Sequence, residues 1–440
     1  MKTVNIARLE KTLQEINEIG ATEAQGITRL GFSKEHWQAQ QYVIRSCKAE
    51  GMAVRVDACG NVIARREGSQ PDLPAVACGS HLDTVYQGGR YDGALGVAAG
   101  LELVRSLNEK GIVTRHSIEL ISFACEESAR FGVSTVGSKA MAGKLDAKRL
   151  EKLLDKEGIS FSEALTGVGL DFAGIESARR NGKELKAFFE LHIEQGPVLE
   201  NSGLSIGIAT GIAAPTRLDV TIEGKASHSG TTPMNLRKDA LLGAAEIVTG
   251  LERAALAETK YGTVATAGVC DVHPGAMNVI PDWVNLKLDI RGTNKESRQA
   301  VHNRLLDIFR SLVASRGLKL TTRVLSDEDP VLLDEAVAGY LAACCEEDGT
   351  AFTRMVSGAG HDAMNMAGLC PTGLIFIPSR DGLSHHPDEY SSLEHIACGA
   401  KLLEKAVLGY AEAVSGESLS YFTNLNRSNQ DESGKAKHIV

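Results

Sequence analysis

Apolar runs that end in polar side chains recur along the first half of the chain and alternate with segments of helical periodicity. The run LPAVACGSH (73–81) predicts a buried strand, and GALGVAAGLELVRSLNEKG (93–111) predicts a helix that ends at Gly111. The same pattern predicts three more strands, over residues 116–124, 187–193 and 371–378. Strands separated by helices indicate an α/β sheet, and ligand sites in such sheets lie beyond the carboxyl ends of the strands.

The segment 214–327 has a different pattern. It predicts, in order, the strand TRLDVTIEG, a helix from Pro233 to about Arg253, the strands GTVATAGVCDV and WVNLKLDIR, a helix from Lys295 to Arg316, and the strand LKLTTRVL. This βαββαβ order is typical of a small α+β sandwich. The sequence therefore predicts a larger α/β domain with a central mixed sheet, over residues 1–213 and 328–420, interrupted by a smaller α+β domain. The polar tail at 421–440 is predicted to be disordered.

Composition narrows the class of partner. The net charge of -9 is spread along the chain, which argues against binding of a nucleic-acid backbone. The first twenty residues form an amphipathic helical pattern rather than a signal peptide, and no apolar run approaches the ~18 residues of a membrane helix. Nine scattered cysteines with no CxxC pair fit free thiols in a reducing cytoplasm. We therefore expect a cytoplasmic protein with neither nucleic acid nor membrane as partner.

Metal-type ligands follow the first two of these strands. GSHLDTVYQGGRYDG (79–93) places His81, Asp83 and Asp92 around a strand end and a glycine-rich loop, and imidazole and carboxylate groups suit a borderline cation such as Zn²⁺. Asp83 is a natural partner to hold the His81 ring in one tautomer. FACEESARFG (123–132) then delivers Glu126 and Glu127 together at the end of the second strand. An isolated Glu-Glu pair is more often a solvated turn, but these two follow a strand in the same predicted sheet.

Two later strands end in histidine. ELHIEQGP (190–197) carries His192, and GLSHHPDEY (382–390) carries His385 and His386. A lone strand histidine is more often a core residue than a ligand. Four strand ends that all carry metal-type ligands are hard to explain separately, so the sequence predicts a metal site at this edge of the sheet.

By six motifs and their order along the chain, the sequence resembles the M20-type metallohydrolases. The motifs are H-x-D, G-G-x-x-D-G, E-E, E-x-H-I-E-Q-G-P, H-x-G-T-T-P-M and G-x-S-H-x-P-x-E. The closer resemblance is to the branch that holds N-carbamoyl-L-amino acid hydrolases, β-ureidopropionase and allantoate amidohydrolase. It covers roughly residues 25–410. It implies two divalent ions (Zn²⁺, or Mn²⁺ or Co²⁺), and an inserted lid domain over 214–327 that also forms a homodimer.

The resemblance also implies roles for individual residues. Asp92 would bridge the two ions, with His81 and His192 at one and Glu127 and His385 at the other. Glu126 would be the general base. Candidates for the substrate side are an oxyanion contact, His228; contacts to the substrate carboxylate, Asn278 and Arg291; a contact to the carbamoyl group, Gln195; and the glycine-rich loop SGAGHDA (357–363) with Gly360 and His361. The plainer alternatives are a helix-capping role for His228 and a salt-bridged strand end for Arg291.

The activity implied is hydrolysis of the carbamoyl C–N bond of ureido acids to amino acid, CO₂ and ammonia. Allantoate amidohydrolase is the main alternative, followed by an aminoacylase or dipeptidase. A Cys-nucleophile amidase finds no support, because no cysteine lies in a recognisable nucleophile turn. A non-catalytic amino-acid-binding protein is disfavoured, since Glu126 and every ligand position are filled.

Overall fold

The computed structural model describes residues 4–415, so the predicted disordered tail at 421–440 lies outside the described residues. The chain divides into two compact units. The first runs up to Thr210, resumes over Leu333–Met355 and continues from His361, and the second consists of Gly211–Leu332 and Val356–Gly360. The bounds of the inserted unit lie within a few residues of those expected, but the short piece Val356–Gly360 was not anticipated in it.

The secondary structure follows a long alternation of strands and helices. The helices are α1 Ile6–Glu18, α2 Lys34–Ala49, α3 Ala94–Glu109, α4 Val136–Met141, α5 Ala147–Leu150, α6 Phe161–Gly167, α7 Val198–Ser202, α8 Ala240–Leu256, α9 Lys295–Arg316, α10 Glu335–Asp348, α11 Ala363–Met366 and α12 Leu393–Ala411. The strands are β1 Ala53–Val56, β2 Val62–Arg66, β3 Ala75–His81, β4 Val113–Thr114, β5 Ile118–Phe123, β6 Leu185–Ile193, β7 Ile206–Ile212, β8 Ala214–Glu223, β9 Ser227–His228, β10 Val264–His273, β11 Val279–Ile280, β12 Trp283–Gly292, β13 Lys319–Asp327, β14 Val331–Leu332, β15 Phe352–Ser357, β16 Thr372–Ile377 and β17 Ala413–Ser415. All the strands and helices predicted from the apolar pattern are present.

A mixed sheet of nine strands forms the core of the first unit. Its order is β1-β2-β5-β3-β6-β16-β7-β14, with β15 also paired to β7. The central strands β5, β3, β6 and β16 run parallel to one another. Every residue of β3, β5 and β16 is buried, as expected for parallel strands covered on both faces. The four parallel strands therefore bring their carboxyl ends, and whatever follows them, to one edge of the sheet.

The second unit is a four-stranded antiparallel sheet of order β10-β12-β8-β13. Burial alternates along β8, and Leu218, Val220 and Ile222 pack with α8 and α9 in one apolar cluster. The opposite face of this sheet carries charged side chains together with exposed apolar ones such as Val264 and Val269. The observed βαββαβ order confirms the predicted α+β class, with an additional two-residue ladder between β9 and β11.

One predicted boundary in the second unit is wrong. The helix expected from Pro233 begins at Ala240, because the Asp239 carboxylate accepts hydrogen bonds from the N–H groups of Leu241 and Leu242 and caps it there. Pro233 itself has an extended backbone with ψ 147. Among residues 4–415, no helix combines the length and the apolar character that a bilayer crossing requires.

Candidate metal centre and substrate-binding residues

Four neighbouring parallel strands deliver the candidate ligands to the same edge of the large sheet. His81 is the last residue of β3, and His192 is the last but one of β6. Glu126 and Glu127 follow β5, and His385 follows β16. All except His385 are buried. The remaining ligand, Asp92, directly precedes Gly93, which caps the start of α3.

The Asp92 carboxylate lies at the centre of this group. Its Oδ1 is 3.3 Å from His81 Nε2 and 3.3 Å from His192 Nε2. Its Oδ2 is 3.3 Å from His385 Nε2, which is in turn 3.2 Å from Glu127 Oε1. The geometry thus defines two three-residue ligand groups, His81–Asp92–His192 and Asp92–Glu127–His385, whose ligand atoms lie within 4.8 Å of one another in each group. The two groups share Asp92.

The hydrogen bonds of two imidazoles leave their Nε2 atoms facing the centre, where His192 Nε2 also accepts the backbone N–H of Gly93 at 3.1 Å. His81 Nδ1 lies 2.9 Å from the Asp83 carbonyl oxygen, and His192 Nδ1 lies 2.9 Å from the Ile193 carbonyl oxygen. A carbonyl accepts only a proton, so the network assigns the proton to Nδ1 and a lone pair to Nε2 in both rings. Both Nε2 atoms face one oxygen of a buried carboxylate, an arrangement that favours a proton or a metal cation between them. The donor set of imidazole and carboxylate therefore fits a borderline divalent metal.

Electrostatics at the centre favour positive charge. Burial raises the pKa of Asp92, but His192, His385 and His81 outweigh it and hold this pKa well below its usual value. Hydrogen bonds to Asp92 and Glu127 raise the pKa of His385 to about 11. Protons and metal ions compete for the same lone pairs, so a site that binds protons tightly without metal also suits a metal cation.

Glu126 is close to the ligands but belongs to neither group. Its Oε2 is 3.8 Å from His81 Nε2. Burial and the neighbouring Glu127 carboxylate raise the pKa of Glu126 well above its usual value, although His81 opposes this. A buried carboxyl group that readily accepts a proton, beside two candidate ligand groups, has the properties that a general base and acid requires.

Asp83 makes different contacts from those expected. The sequence predicts that its carboxylate holds the His81 ring, but Oδ1 lies 3.8 Å from His81 Nδ1, beyond hydrogen-bond length. The ring is bonded instead to the Asp83 backbone carbonyl. The carboxylate accepts the backbone N–H groups of Glu126 at 3.1 Å and Glu127 at 2.9 Å. Asp83 therefore orients the whole Glu126–Glu127 turn.

Three further side chains support Asp92 and were missed or described differently at the sequence level. Glu389 Oε1 accepts the backbone N–H groups of Tyr91 at 2.8 Å and Asp92 at 3.0 Å. Ser384 Oγ donates to Asp92 Oδ2 at 2.9 Å. Both belong to the motif G-x-S-H-x-P-x-E, which could have suggested them. Gln195 Nε2 also donates to Asp92 Oδ2, at 2.7 Å, while its Oε1 is buried without a hydrogen-bond partner among the described residues.

Gly93 is required for the approach of Asp92 to His81. Its φ is +66°, in the left-handed region, and a Cβ atom there would lie 2.5 Å from His81 Nδ1 and Cε1. Any larger residue would displace the imidazole. The packing of this loop against the His81 ring therefore explains the last glycine of the motif G-G-x-x-D-G.

Of the adjacent histidines His385 and His386, only His385 belongs to a ligand group. One residue of the glycine-rich loop, His361, lies beside the ligands. His386 Nδ1 accepts the N–H of Asp388 at 3.1 Å and belongs to neither ligand group. His361 is buried, and its ring packs edge-on against His192 with centroids 4.6 Å apart. Gly360 closes the short piece of the second unit that ends just before His361.

The other candidates lie on the second unit. His228 is in β9, paired with Val279 of β11, and therefore does not cap α8, the alternative that the sequence left open. The Asn278 carbonyl accepts the N–H of Ser229 at 3.0 Å, so His228 and Asn278 are adjacent. Arg291 lies near the end of β12, where Nε and Nη2 bind Asp289 Oδ2 at 3.1 and 2.9 Å and Nη1 donates to the Gly358 carbonyl at 2.9 Å.

Comparisons of the sequence and of the fold with known proteins find the same group of hydrolases. The family model for Peptidase family M20/M25/M40 matches residues 77–409. An N-carbamoyl-L-amino acid amidohydrolase of Geobacillus stearothermophilus is 43% identical over 405 residues, 92% of this chain and 98% of that protein. An allantoate amidohydrolase of Bacillus subtilis is 34% identical over 391 residues, 89% of this chain and 94% of that protein. The crystal structure of an amidase of the hydantoinase/carbamoylase family from Burkholderia multivorans matches with a TM-score of 0.88 and 36% identity, covering 93% of this chain and 98% of that one.

The contacts of Asp83 lead to a testable prediction. Asp83→Ala removes the acceptor of both N–H groups in the Glu126–Glu127 turn, so metal affinity should fall about 10- to 100-fold. Titration of metal-free protein with Zn²⁺ measures this. Asp388→Ala, which removes an exposed carboxylate beyond His385, is the matched control and should leave the affinity unchanged. Equal affinity in the two variants would contradict the assignment.

Proposed function

We propose that this chain, which belongs to peptidase family M20/M25/M40, hydrolyses the carbamoyl C–N bond of N-carbamoyl-L-amino acids. The products are the amino acid, CO₂ and ammonia. The observation that carries the proposal is the pair of ligand groups that share Asp92, with the free carboxyl of Glu126 beside them. The similarity to an N-carbamoyl-L-amino acid amidohydrolase supports the choice of substrate.

The family consists of metal-dependent hydrolases, and we infer that this chain binds two divalent ions, Zn²⁺ or Mn²⁺ or Co²⁺. Asp92 would bridge them, with His81 and His192 at one ion and Glu127 and His385 at the other. The ions, when bound, lower the pKa of a water molecule toward ~7 and polarise the carbonyl group of the substrate. A carbamoyl group requires both effects, because its nitrogen lone pairs make the carbonyl carbon a poor electrophile.

Glu126 performs the proton transfers in this proposal. Its carboxylate takes a proton from the attacking water. It can hold this proton because Glu126 belongs to neither of the two ligand groups. It then delivers the proton to the nitrogen atom that leaves. The buried position of Glu126, beside Glu127, favours the protonated state and so suits a group that must hold the proton between the two steps.

His228 is suited to donate a hydrogen bond to a developing oxyanion. Its Nδ1 accepts the N–H of Gly230 at 3.0 Å, so in the neutral ring the proton is on Nε2. The side chain is exposed, and Nε2–H therefore remains available as a donor. A donor of this kind stabilises the transition state more than the ground state, because charge on the carbonyl oxygen appears only as water attacks.

Arg291 is suited to bind the substrate carboxylate. Its guanidinium group has five N–H bonds, of which three are used by Asp289 and the Gly358 carbonyl. Two N–H bonds remain, and the existing contacts hold the planar group in place, which favours binding of a carboxylate. We propose that Asn278, Gly360 and His361 contribute to binding of the same substrate. We also propose that Oε1 of Gln195, which has no hydrogen-bond partner among the described residues, accepts an N–H of the carbamoyl group.

We also propose that two copies of the chain associate through the second unit. Its strand β10 is at the edge of the four-stranded sheet and presents unpaired backbone groups. Leu241, Leu242 and Val248 of α8 are exposed, although large apolar side chains are usually buried. A single-chain mass in sedimentation equilibrium would contradict the dimer.

All nine cysteines are free thiols, which supports the cytoplasmic location expected from the sequence.

The function is tested by release of ammonia from metal-stripped protein before and after metal is restored. N-carbamoyl-L-amino acids, allantoate and N-acyl amino acids are compared at equal concentration. We expect turnover only with metal, and the highest kcat/KM for an N-carbamoyl-L-amino acid. The machinery would serve allantoate equally well, and the 34% identical allantoate amidohydrolase makes it the second candidate. Preference for allantoate, or for acyl substrates, would replace the proposed function.

The neighbouring acids Glu126 and Glu127 separate catalysis from metal binding. Glu126→Gln should keep the metal content of the wild type and lower kcat by about 10²- to 10⁴-fold, because the amide cannot accept the proton. Glu127→Gln, one residue away, should lose metal, because it removes a ligand. Metal content by atomic absorption and turnover are measured on the same samples. Full activity in metal-replete Glu126→Gln would exclude the proposed base.

The role of His228 is tested by separating kcat from KM. His228→Ala should lower kcat on the order of 10²- to 10³-fold with a smaller change in KM, because the hydrogen bond strengthens as the oxyanion forms. His273→Ala is the matched control, since His273 is an exposed histidine of the same unit whose ring faces Asp282. A change confined to KM would show that His228 contributes only to substrate binding.

A further inference from the structure

Two guanidinium groups of the second unit share one carboxylate oxygen. Asp289 Oδ2 accepts Nε and Nη2 of Arg291 and also faces Arg217 Nε at 3.4 Å. Arg217 is directly opposite Asp289 in the register of β8 and β12, which places both on the same face of the sheet. The two cations are therefore adjacent, and a single acid neutralises only one of them.

The next positions on this face repeat the excess of positive charge. Asp219 Oδ2 binds Lys287 Nζ at 2.7 Å and Arg323 Nη2 at 2.9 Å. Asp219 is largely buried, whereas the side chain of Arg323, on the edge strand β13, is 73% exposed. Farther along the same face lie two more acids, Asp271 and Glu223, the second paired with Lys319 at 2.7 Å. The excess of positive charge is therefore confined to the part of the face around Arg217, Lys287 and Arg291, which attracts anions.

A cavity of about 530 Å³ covers part of this face. Its lining combines the charged side chains of Arg217, Lys287, Asp289 and Arg291 with the apolar side chains of Val264, Val269 and Leu325. Arg323 is not part of the lining. A lining of three cations, one acid and several apolar side chains fits a short aliphatic chain that ends in an anionic group. Two guanidinium groups side by side fit two carboxylates separated by only a few bonds.

We propose that Arg217 determines specificity by binding a second carboxylate, in the side chain of the substrate. This inference rests on the proposed function, in which Arg291 binds the α-carboxylate. The preferred substrates are then ureido acids derived from dicarboxylic amino acids. Their second carboxylate binds Arg217, whose side chain is 46% exposed and makes, within residues 4–415, a single hydrogen-bonding contact at 3.4 Å. Lys287 adds a further positive charge to the same cavity.

The test compares N-carbamoyl-L-glutamate with N-carbamoyl-L-glutamine, which has the same shape but a neutral side chain. The readout is the ratio of the two kcat/KM values, with the acid over the amide. We expect this ratio to exceed one in the wild-type, metal-loaded enzyme. Arg217→Gln should lower it about 10- to 100-fold, the usual effect of losing a hydrogen-bonded charge pair. A general disturbance of Arg291 or the metal centre would change both substrates together and leave the ratio unchanged.

Arg323→Gln is the matched control, because it removes the same charge from the same face outside the cavity. It should leave the ratio unchanged. Equal effects of Arg217→Gln and Arg323→Gln would show only long-range attraction by a solvated charged face and would overturn the proposal. A wild-type ratio of one or below would also overturn it.

Binding distinguishes failure of this inference from failure of the proposed function. Titration calorimetry of the metal-loaded Glu126→Gln variant with N-carbamoyl-L-glutamate gives an affinity that requires no turnover. If no ureido acid is hydrolysed but the acid binds more tightly than the amide in an Arg217-dependent manner, only the proposed function fails. If N-carbamoyl-L-glutamine is hydrolysed and the acid gains nothing from Arg217 in either assay, only the present inference fails.

Discussion

The centre depends on one electrostatic constraint, the requirement of the Asp92 carboxylate for positive charge. Lone pairs of His81 and His192 face one of its oxygens at 3.3 Å, and His385 faces the other at the same distance. The carboxyl groups of Glu126 and Glu127 lie nearby and are almost without solvent. Such an arrangement is unfavourable unless cations lie among the ligands. In the proposed function, the binding of metal would therefore relieve this constraint as well as supply the chemistry.

The surrounding structure holds the ligands before any cation binds. Asp83 accepts both N–H groups of the Glu126–Glu127 turn, and Glu389 accepts that of Asp92. Backbone carbonyls fix the tautomers of His81 and His192. Because His81, His192 and Asp92 are bonded to buried partners, they have little conformational entropy left to lose on metal binding, whereas the half-exposed His385 retains more. The parallel strands supply the rigid base on which this network is built.

The second unit has charged side chains on the face of its sheet that α8 and α9 do not cover. Its apolar face is covered by α8 and α9, so its other face is free to carry charge. There Asp289 orients Arg291 without neutralising its neighbour Arg217. A rigidly held arginine binds a carboxylate at lower entropic cost than a mobile one, and an excess cation beside it extends recognition to a second anionic group. Recognition and catalysis are thus assigned to separate folding units in the proposed function.

The sequence by itself determined the α/β and α+β classes, because periods of 2 and 3.6 in apolar residues report which faces are buried. It also indicated the residues now seen around Asp92, since histidines and acids at strand ends have few structural uses. It could not determine the start of α8, where the Asp239 cap decides, or the contacts of Asp83, whose carboxylate binds backbone N–H groups 43 and 44 positions away. Nor did it reveal that Arg217 and Arg291 share Asp289. Those contacts join distant segments, and only the register of strands and the path of loops in three dimensions decide which polar atoms meet.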